Sequence, residues 1–138
     1  ELRRVQRYGR PWSVIMLDLD EFKAINDTFG HQTGDLVLKR AAEIITESIR
    51  ETDSVARWGG EEFLILCPET GLKGTTDIAE RIQSTLNSTP FTNNIRVTAS
   101  FGVTTYISPD SLDTLLRRVD RALYHSKHNG RNRITVWD

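Results

Sequence analysis

Asp18 and Asp20 stand at the end of an apolar run that begins at Trp12, "WSVIMLDLD", and two more carboxylates, Glu61 and Glu62, follow a glycine pair in "RWGGEEF". An extended chain alternates its side chains, so Asp18 and Asp20 share one face. A carboxylate that ends a buried strand is costly unless something satisfies it. For either aspartate alone a plain explanation is enough: Asp20 caps the next helix and Asp18 meets an arginine. The glycine pair changes that balance. If the segments on either side of Gly59 and Gly60 form a hairpin beside the first strand, Glu61 is carried toward Asp18. Converging carboxylates repel each other unless a cation lies between them. An all-oxygen donor set points to a hard ion, Mg²⁺ or Mn²⁺, rather than zinc. Magnesium keeps part of its shell for water and substrate phosphate, and glycines leave the backbone open to a phosphate. The chemistry this combination fits is metal-assisted phosphoryl transfer.

The elements that must position these groups follow from periodicity. Residues 12–19 are an unbroken apolar run rich in strand formers, which predicts a buried central strand. "DEFKAINDTFG" places Phe22, Ile25 and Phe29 at helical spacing, and a longer helix follows the turn "GHQTGD", with Leu36, Ala41, Ile44, Ile45 and Ile49 as its stripe. "SVARW" and "EFLILC" are the hairpin strands. Residues 72–87 repeat the helical period through Leu72, Ile78, Ile82 and Leu86, and 96–106 is a strand in which Gly102 marks a bulge or a close approach. The last helix runs from a Ser111 cap to a stop at Gly130, burying Leu112, Leu115, Leu116, Val119 and Leu123, and "NRITVW" closes as a strand. "ELRRVQRYGR" reads as the end of a helix already under way, which implies a piece cut from something longer. The expected order is β-α-α-β-β-α-β-α-β in one α/β domain.

Composition narrows the function classes. The chain has 138 residues, 38% hydrophobic and 27% charged, which describes one globular domain rather than a disordered segment. No apolar run approaches the ~20 residues of a membrane-spanning helix, and no secretory signal is visible. A net charge of −1 argues against a nucleic-acid polymer as partner, while basic stretches at both ends would suit a small phosphorylated ligand. The single cysteine, Cys67, lies in an apolar run and reads as a buried inert thiol, compatible with a reducing cytoplasm.

In order and spacing, "DLDEFKAINDTFGHQTGD", "RWGGEEF" and "SKHNGRN" resemble the GGDEF-domain family, the bacterial diguanylate cyclases, in its GGEEF form. A lone GG[DE]EF would be a weak signal, but the resemblance runs from the first strand nearly to the C-terminus. It implies a single catalytic domain over 1–138, trimmed at its N-terminus and cut from a larger signalling protein. The implied fold is α/β (α+β), a central, mostly antiparallel sheet of about five strands flanked by helices, like a polymerase palm. The implied reaction joins two GTP into cyclic di-GMP with release of two pyrophosphates, each 3′-hydroxyl attacking the α-phosphate held by the other protomer of a homodimer. Two Mg²⁺ (or Mn²⁺) per site would be held by Asp18, Glu61 and the Leu19 carbonyl. Glu61 or Glu62 would accept the proton, and the sequence leaves both open. Lys23, Lys127 and Arg131 would neutralise phosphate charge, the last two being four residues apart and so expected on one helix face. Their plainer reading is a solvated helix end.

Guanine would be read by Asp35, accepting from its N1–H and 2-amino group, and by Asn26, with His31 near the substrate and Gly59 and Gly60 beside its phosphates. On residue type alone, Asn26 is a surface residue and Asp35 the cap of the following helix. "RETD" matches the family's inhibitory motif, so Arg50, Asp53 and Arg81 are expected to bind cyclic di-GMP as a feedback inhibitor. The resemblance places this domain in the cytoplasm without membrane contact, whatever anchors the parent protein. A non-catalytic receptor for GTP or cyclic di-GMP is the alternative, and the intact metal-binding residues speak against it. Another metal-dependent nucleotidyl transferase would share the carboxylates without needing Asn26, Asp35, Arg50 and Asp53 together.

Overall fold

The computed structural model describes residues 11–137, so the helix expected over the first ten residues lies outside the described residues. The strands are β1 (Trp12–Leu19), β2 (Ser54–Arg57), β3 (Glu62–Pro68), β4 (Ala99–Thr105) and β5 (Ile134–Trp137). The helices are α1 (Phe22–Phe29), α2 (His31–Ser48), α3 (Leu72–Ser88) and α4 (Leu112–His128), with a short 3₁₀ turn at Thr92–Asn94. The expected element order is the observed one. The sheet runs β2-β3-β1-β4-β5, with every neighbouring pair antiparallel except β4 and β5.

β1 is buried throughout and mostly apolar because both of its faces are covered. Ile15, Leu17 and Leu19 point into the larger core with α1, α2 and α3, while Trp12, Val14 and Met16 pack with Leu115, Val119 and Leu123 of α4. By the same alternation, Asp18 falls on the α4 face. Gly102 marks a close approach and no bulge: a Cβ there would stand 2.5 Å from the Val119 carbonyl oxygen and 2.6 Å from the Leu123 nitrogen. The small residue therefore seats α4 directly on β4.

Four expectations are corrected. The turn expected at "GHQTGD" belongs to α2, which begins at His31, and Gly30 (φ +92°) alone separates the helices. Glycine inside a helix costs ~1 kcal/mol relative to alanine, so the sequence reads as a turn. Packing overrides this, because a Cβ on Gly34 would lie 1.8 Å from Asn26 Oδ1. Leu36 is exposed: the buried stripe is Gly34, Val37, Leu38, Ala41, Ile44, Ile45 and Ser48, and a five-residue step from Leu36 to Ala41 turns roughly 140° off it. Phe29 and Leu112 are exposed as well, each the outermost residue of its helix. Ser111 caps α4 as expected, exchanging side-chain and backbone bonds with Thr114. Cys67 is fully buried, and burial raises its thiol pKa to about 12.

Candidate active site

β1 stops at Leu19 with β3 on one side and β4 on the other, so Asp18 faces Glu62 across one ladder and Ser100 across the other. The Leu19 amide donates to the Glu61 carbonyl at 3.2 Å, which ties the acidic hairpin to the last residue of the strand. The hairpin turn closes on Glu62, whose carbonyl accepts from the Trp58 amide at 2.8 Å and the Gly59 amide at 3.4 Å. Arg57 braces it from outside, donating to the Gly60 carbonyl from Nε at 3.0 Å and Nη2 at 2.6 Å. Neither Gly59 nor Gly60 adopts a left-handed backbone. Their smallness serves clearance: a Cβ on Gly59 would stand 3.0 Å from Glu62 Oε1, and one on Gly60 would meet nothing within 4 Å.

The cation at this strand end comes from the opposite layer. Lys127, near the end of α4, donates from Nζ to Asp18 Oδ2 at 2.5 Å and lies 4.0 Å from Glu62 Oε2. Asp18 thus meets a lysine rather than an arginine, and Lys127 is no freely solvated helix-end residue. Partial burial works against the Lys127 charge, but the hydrogen bond from Asp18 and the charges of Asp18, Glu62 and Glu61 outweigh it and raise the pKa. Glu62 is raised too, first by burial and then by the Asp18 charge, with Asp120 and Glu61 adding and Lys127 opposing. One ammonium therefore faces more negative charge than it neutralises. Glu62 has Lys127, not Lys23, as its nearest cation, and Lys23 is exposed with no ion pair among the described residues.

No group of three or more His, Cys, Asp or Glu side chains forms a metal cage among the described residues. The residues expected to hold a metal, Asp18, Glu61 and the Leu19 carbonyl, make an all-oxygen set whose chemistry suits a magnesium ion that takes its remaining oxygens from water and substrate. It would not fit a metal held by protein alone.

Arg131 is not on the α4 face expected from its spacing to Lys127. α4 ends at His128, and Arg131 sits in the following loop with its amide on the Ser126 carbonyl at 3.0 Å. Arg131 (φ +59°) and Asn132 (φ +46°) are both left-handed, a conformation that costs a side-chain-bearing residue roughly 1 kcal/mol or more. The Arg131 guanidinium lies 3.4 Å from Glu21 Oε1, both groups exposed. Asp20 does not cap α1. That position belongs to Glu21, which makes no capping bond, and Asp20 instead accepts from the Thr98 and Ser100 hydroxyls at 2.7 Å each and the Asn132 amide at 2.9 Å.

Further from the strand end, Asn26 turns its Oδ1 onto Gly34, where the atom is buried and without a hydrogen-bond partner. Such an orphaned acceptor is uncommon in a native interior. Asp35 lies in the second turn of α2, since Gly30 holds the cap position, and it is exposed. It lines a cleft of about 400 Å³ with Leu38, Lys39, Ala42, Arg57 and Phe63. His31, the first residue of α2, is exposed.

The "RETD" segment follows α2. Arg50 donates to Asp53 from Nε at 3.1 Å, from Nη2 at 2.9 Å and from its own amide at 2.8 Å, and Nη2 also meets the Thr70 hydroxyl. The Asp53 carboxylate has no exposed surface, whereas Arg50 is 45% exposed, so an approaching ligand meets the guanidinium first. Arg81 is exposed on α3, with no hydrogen bond or ion pair to Arg50 or Asp53 among the described residues. What the sequence did not disclose is the Asp20 junction, the Lys127–Asp18 bond and the Arg57 brace. The same-face spacing of Asp18 and Asp20 was the only signal for the first.

The family described as "Diguanylate cyclase, GGDEF domain" matches residues 1–133. Diguanylate cyclase A of Treponema denticola is 42% identical over 128 residues, 90% of this chain and 34% of that protein. Diguanylate cyclase DgcM of Escherichia coli K12 is 42% identical over 126 residues, 91% of this chain and 31% of that protein. The chain therefore spans about one third of the length of the curated relatives it matches. The active GGEEF domain of a Vibrio cholerae diguanylate cyclase superposes with a TM-score of 0.94 at 36% identity, over 99% of this chain and 89% of that one. The GGDEF domain of DgcB from Caulobacter crescentus, in complex with c-di-GMP, gives 0.94 at 33% identity, over 98% and 82%. Among the described residues, no helix is long and apolar enough to cross a membrane.

Proposed function

The chain belongs to the GGDEF diguanylate cyclase family, and we propose that it is the catalytic domain of a larger protein that condenses two GTP into cyclic di-GMP. The observation that carries this reading is the end of β1, where Asp18 lies beside the Glu61–Glu62 hairpin and Lys127 reaches it from α4. In each half of the reaction the 3′-oxygen of one GTP bonds to the α-phosphorus of the other. The bond from that phosphorus to the bridging oxygen breaks, pyrophosphate leaves, and the hydroxyl proton passes to Glu61 or Glu62. Bound magnesium would be held by Asp18, Glu61 and the Leu19 carbonyl, and would supply charge neutralisation at the phosphates and at the hydroxyl.

Lys127 holds Asp18 Oδ2, and its ammonium would be available to substrate phosphates if that carboxylate held a cation instead. Arg131, on its constrained loop, and the exposed Lys23 would add positive charge for the phosphates. Gly60 offers a phosphate a backbone with no neighbouring atom in the way of a Cβ. The exposed Asp35 is an acceptor suited to the donor edge of guanine, the unpartnered Asn26 carboxamide would add to it on turning away from Gly34, and the exposed His31 would lie near the base. Each protomer holds one GTP, so the reaction needs a homodimer. Arg50, with Asp53 behind it and Arg81 on the neighbouring helix, would receive the product as inhibitor.

The test is incubation of the chain, fused to a dimeric coiled coil, with GTP and Mg²⁺. Cyclic di-GMP and two pyrophosphates per product are expected. No cyclic di-GMP from a folded dimer overturns the reading. Arg50→Ala should leave turnover intact and abolish inhibition by added cyclic di-GMP.

A further inference from the structure

We infer that Asp20 is a positioning residue that holds the Arg131 loop in register with the strand end, acting as a hydrogen-bond acceptor rather than as a metal ligand or a helix cap. Its carboxylate joins three segments that are remote in sequence. Oδ1 accepts from the Ser100 hydroxyl at 2.7 Å, and Oδ2 accepts from the Thr98 hydroxyl at 2.7 Å and the Asn132 amide at 2.9 Å. The Asp20 amide donates to the Thr98 carbonyl at 2.9 Å, so the residue is fixed to the entry of β4 by backbone as well as side chain.

What Asp20 restrains is unfavourable on its own. Arg131 and Asn132 are consecutive left-handed residues that are not glycine, and such a conformation persists only where its surroundings over-determine it. Asp20 takes the Asn132 amide, and Gln83 donates to the Asn132 carbonyl at 2.9 Å from α3. Asn132 is thus held at both its amide and its carbonyl, and Arg131 precedes it directly. No cation pairs with Asp20 among the described residues, so its three donors are what satisfy the buried charge.

This inference rests on the nucleotide reading given above, so its test has one arm that depends on GTP and one that does not. Asp20→Asn can keep its oxygen toward Thr98 and Asn132 while the Ser100 hydroxyl rotates to accept, so GTP affinity should stay within about threefold of the parent. Asp20→Ala should weaken GTP binding about tenfold, matching Arg131→Ala, and the double variant should be no weaker than either single one. Independently, hydrogen exchange at the Asn132 amide should be slow in the parent and in Asp20→Asn, and fast in Asp20→Ala, with the β1 amides unchanged. Should Asp20→Ala not fold, Thr98→Val with Ser100→Ala removes the strand anchors and should loosen the same amide. Asp20→Asn as damaging as Asp20→Ala, multiplying losses in the double variant, or an Asn132 amide indifferent to Asp20 would each overturn the proposal. A parent that binds no GTP but shows the expected exchange pattern refutes the nucleotide reading and leaves the tether standing.

Discussion

α4 carries an acid–base pair at each end, and the two pairs are built differently. Near its start, Arg118 grips Asp110 with two bonds, Nη2 at 2.6 Å and Nη1 at 2.9 Å, and donates to the Thr105 carbonyl at 3.1 Å. Asp110 also accepts from the Ile107 amide and the Thr114 hydroxyl, so its charge is fully answered. The Arg118 bond, ahead of an opposing burial effect, lowers the Asp110 pKa. At the other end, Lys127 makes a single bond to Asp18, with Glu62 close by and its pKa raised. The first pair is saturated and locks a loop to a helix. The second leaves negative charge over, which is a condition that invites a further cation.

Asp18→Asn should separate the two pairs most strongly. On the proposed function, in which Asp18 is one of two carboxylates holding magnesium, turnover of GTP should fall by about 100-fold or more. The urea midpoint should hardly move, because the variant also relieves repulsion with Glu62. A variant with full turnover would break the comparison at its active end. Arg118→Met should do the reverse, lowering unfolding stability by about 2 kcal/mol through the unanswered Asp110 charge, with activity of the folded fraction unchanged. Loss of turnover without loss of stability would mean that this pair, too, belongs to the site.

The smallest effect is a pH dependence. Asp110 has a folded-state pKa below its ordinary value of 3.8, so its contribution is complete above that value and is lost as pH falls through the lower folded value. Denaturant titrations of the parent between pH 5 and pH 2, set against Asp110→Asn, should differ by a shallow acid slope that the variant lacks. Equal slopes would place the acid sensitivity elsewhere.

Much of this was legible in the sequence where local chemistry and packing agree. β1 could be read from eight apolar-dominated residues, the hairpin from Gly59 and Gly60, and the α4 cap from Ser111. Reading failed where the two disagree. Gly34 has the look of a turn and is a helix residue because α1 leaves no room for a Cβ. Leu36 has the look of a core residue and is exposed because its place on the helix faces away from the buried stripe. Arg131 has the spacing of a helix-face partner for Lys127, but α4 ends three residues earlier.

Sequence alone determined which charges this protein owns, in which order, and that Asp18 ends a strand while Glu61 and Glu62 follow a Gly-Gly hairpin turn, because strand alternation and turn chemistry are local. The tertiary structure decided what each charge faces. Whether Asp18 meets an arginine, a lysine or nothing depends on which face of β1 α4 covers, and that is set by the fit of α4 against Gly102. Whether Asp20 caps a helix or ties down a distant loop depends on where Thr98, Ser100 and Asn132 converge, 78 to 112 residues away along the chain. Contacts at that separation follow from the packing of whole layers, which no short stretch of residues encodes.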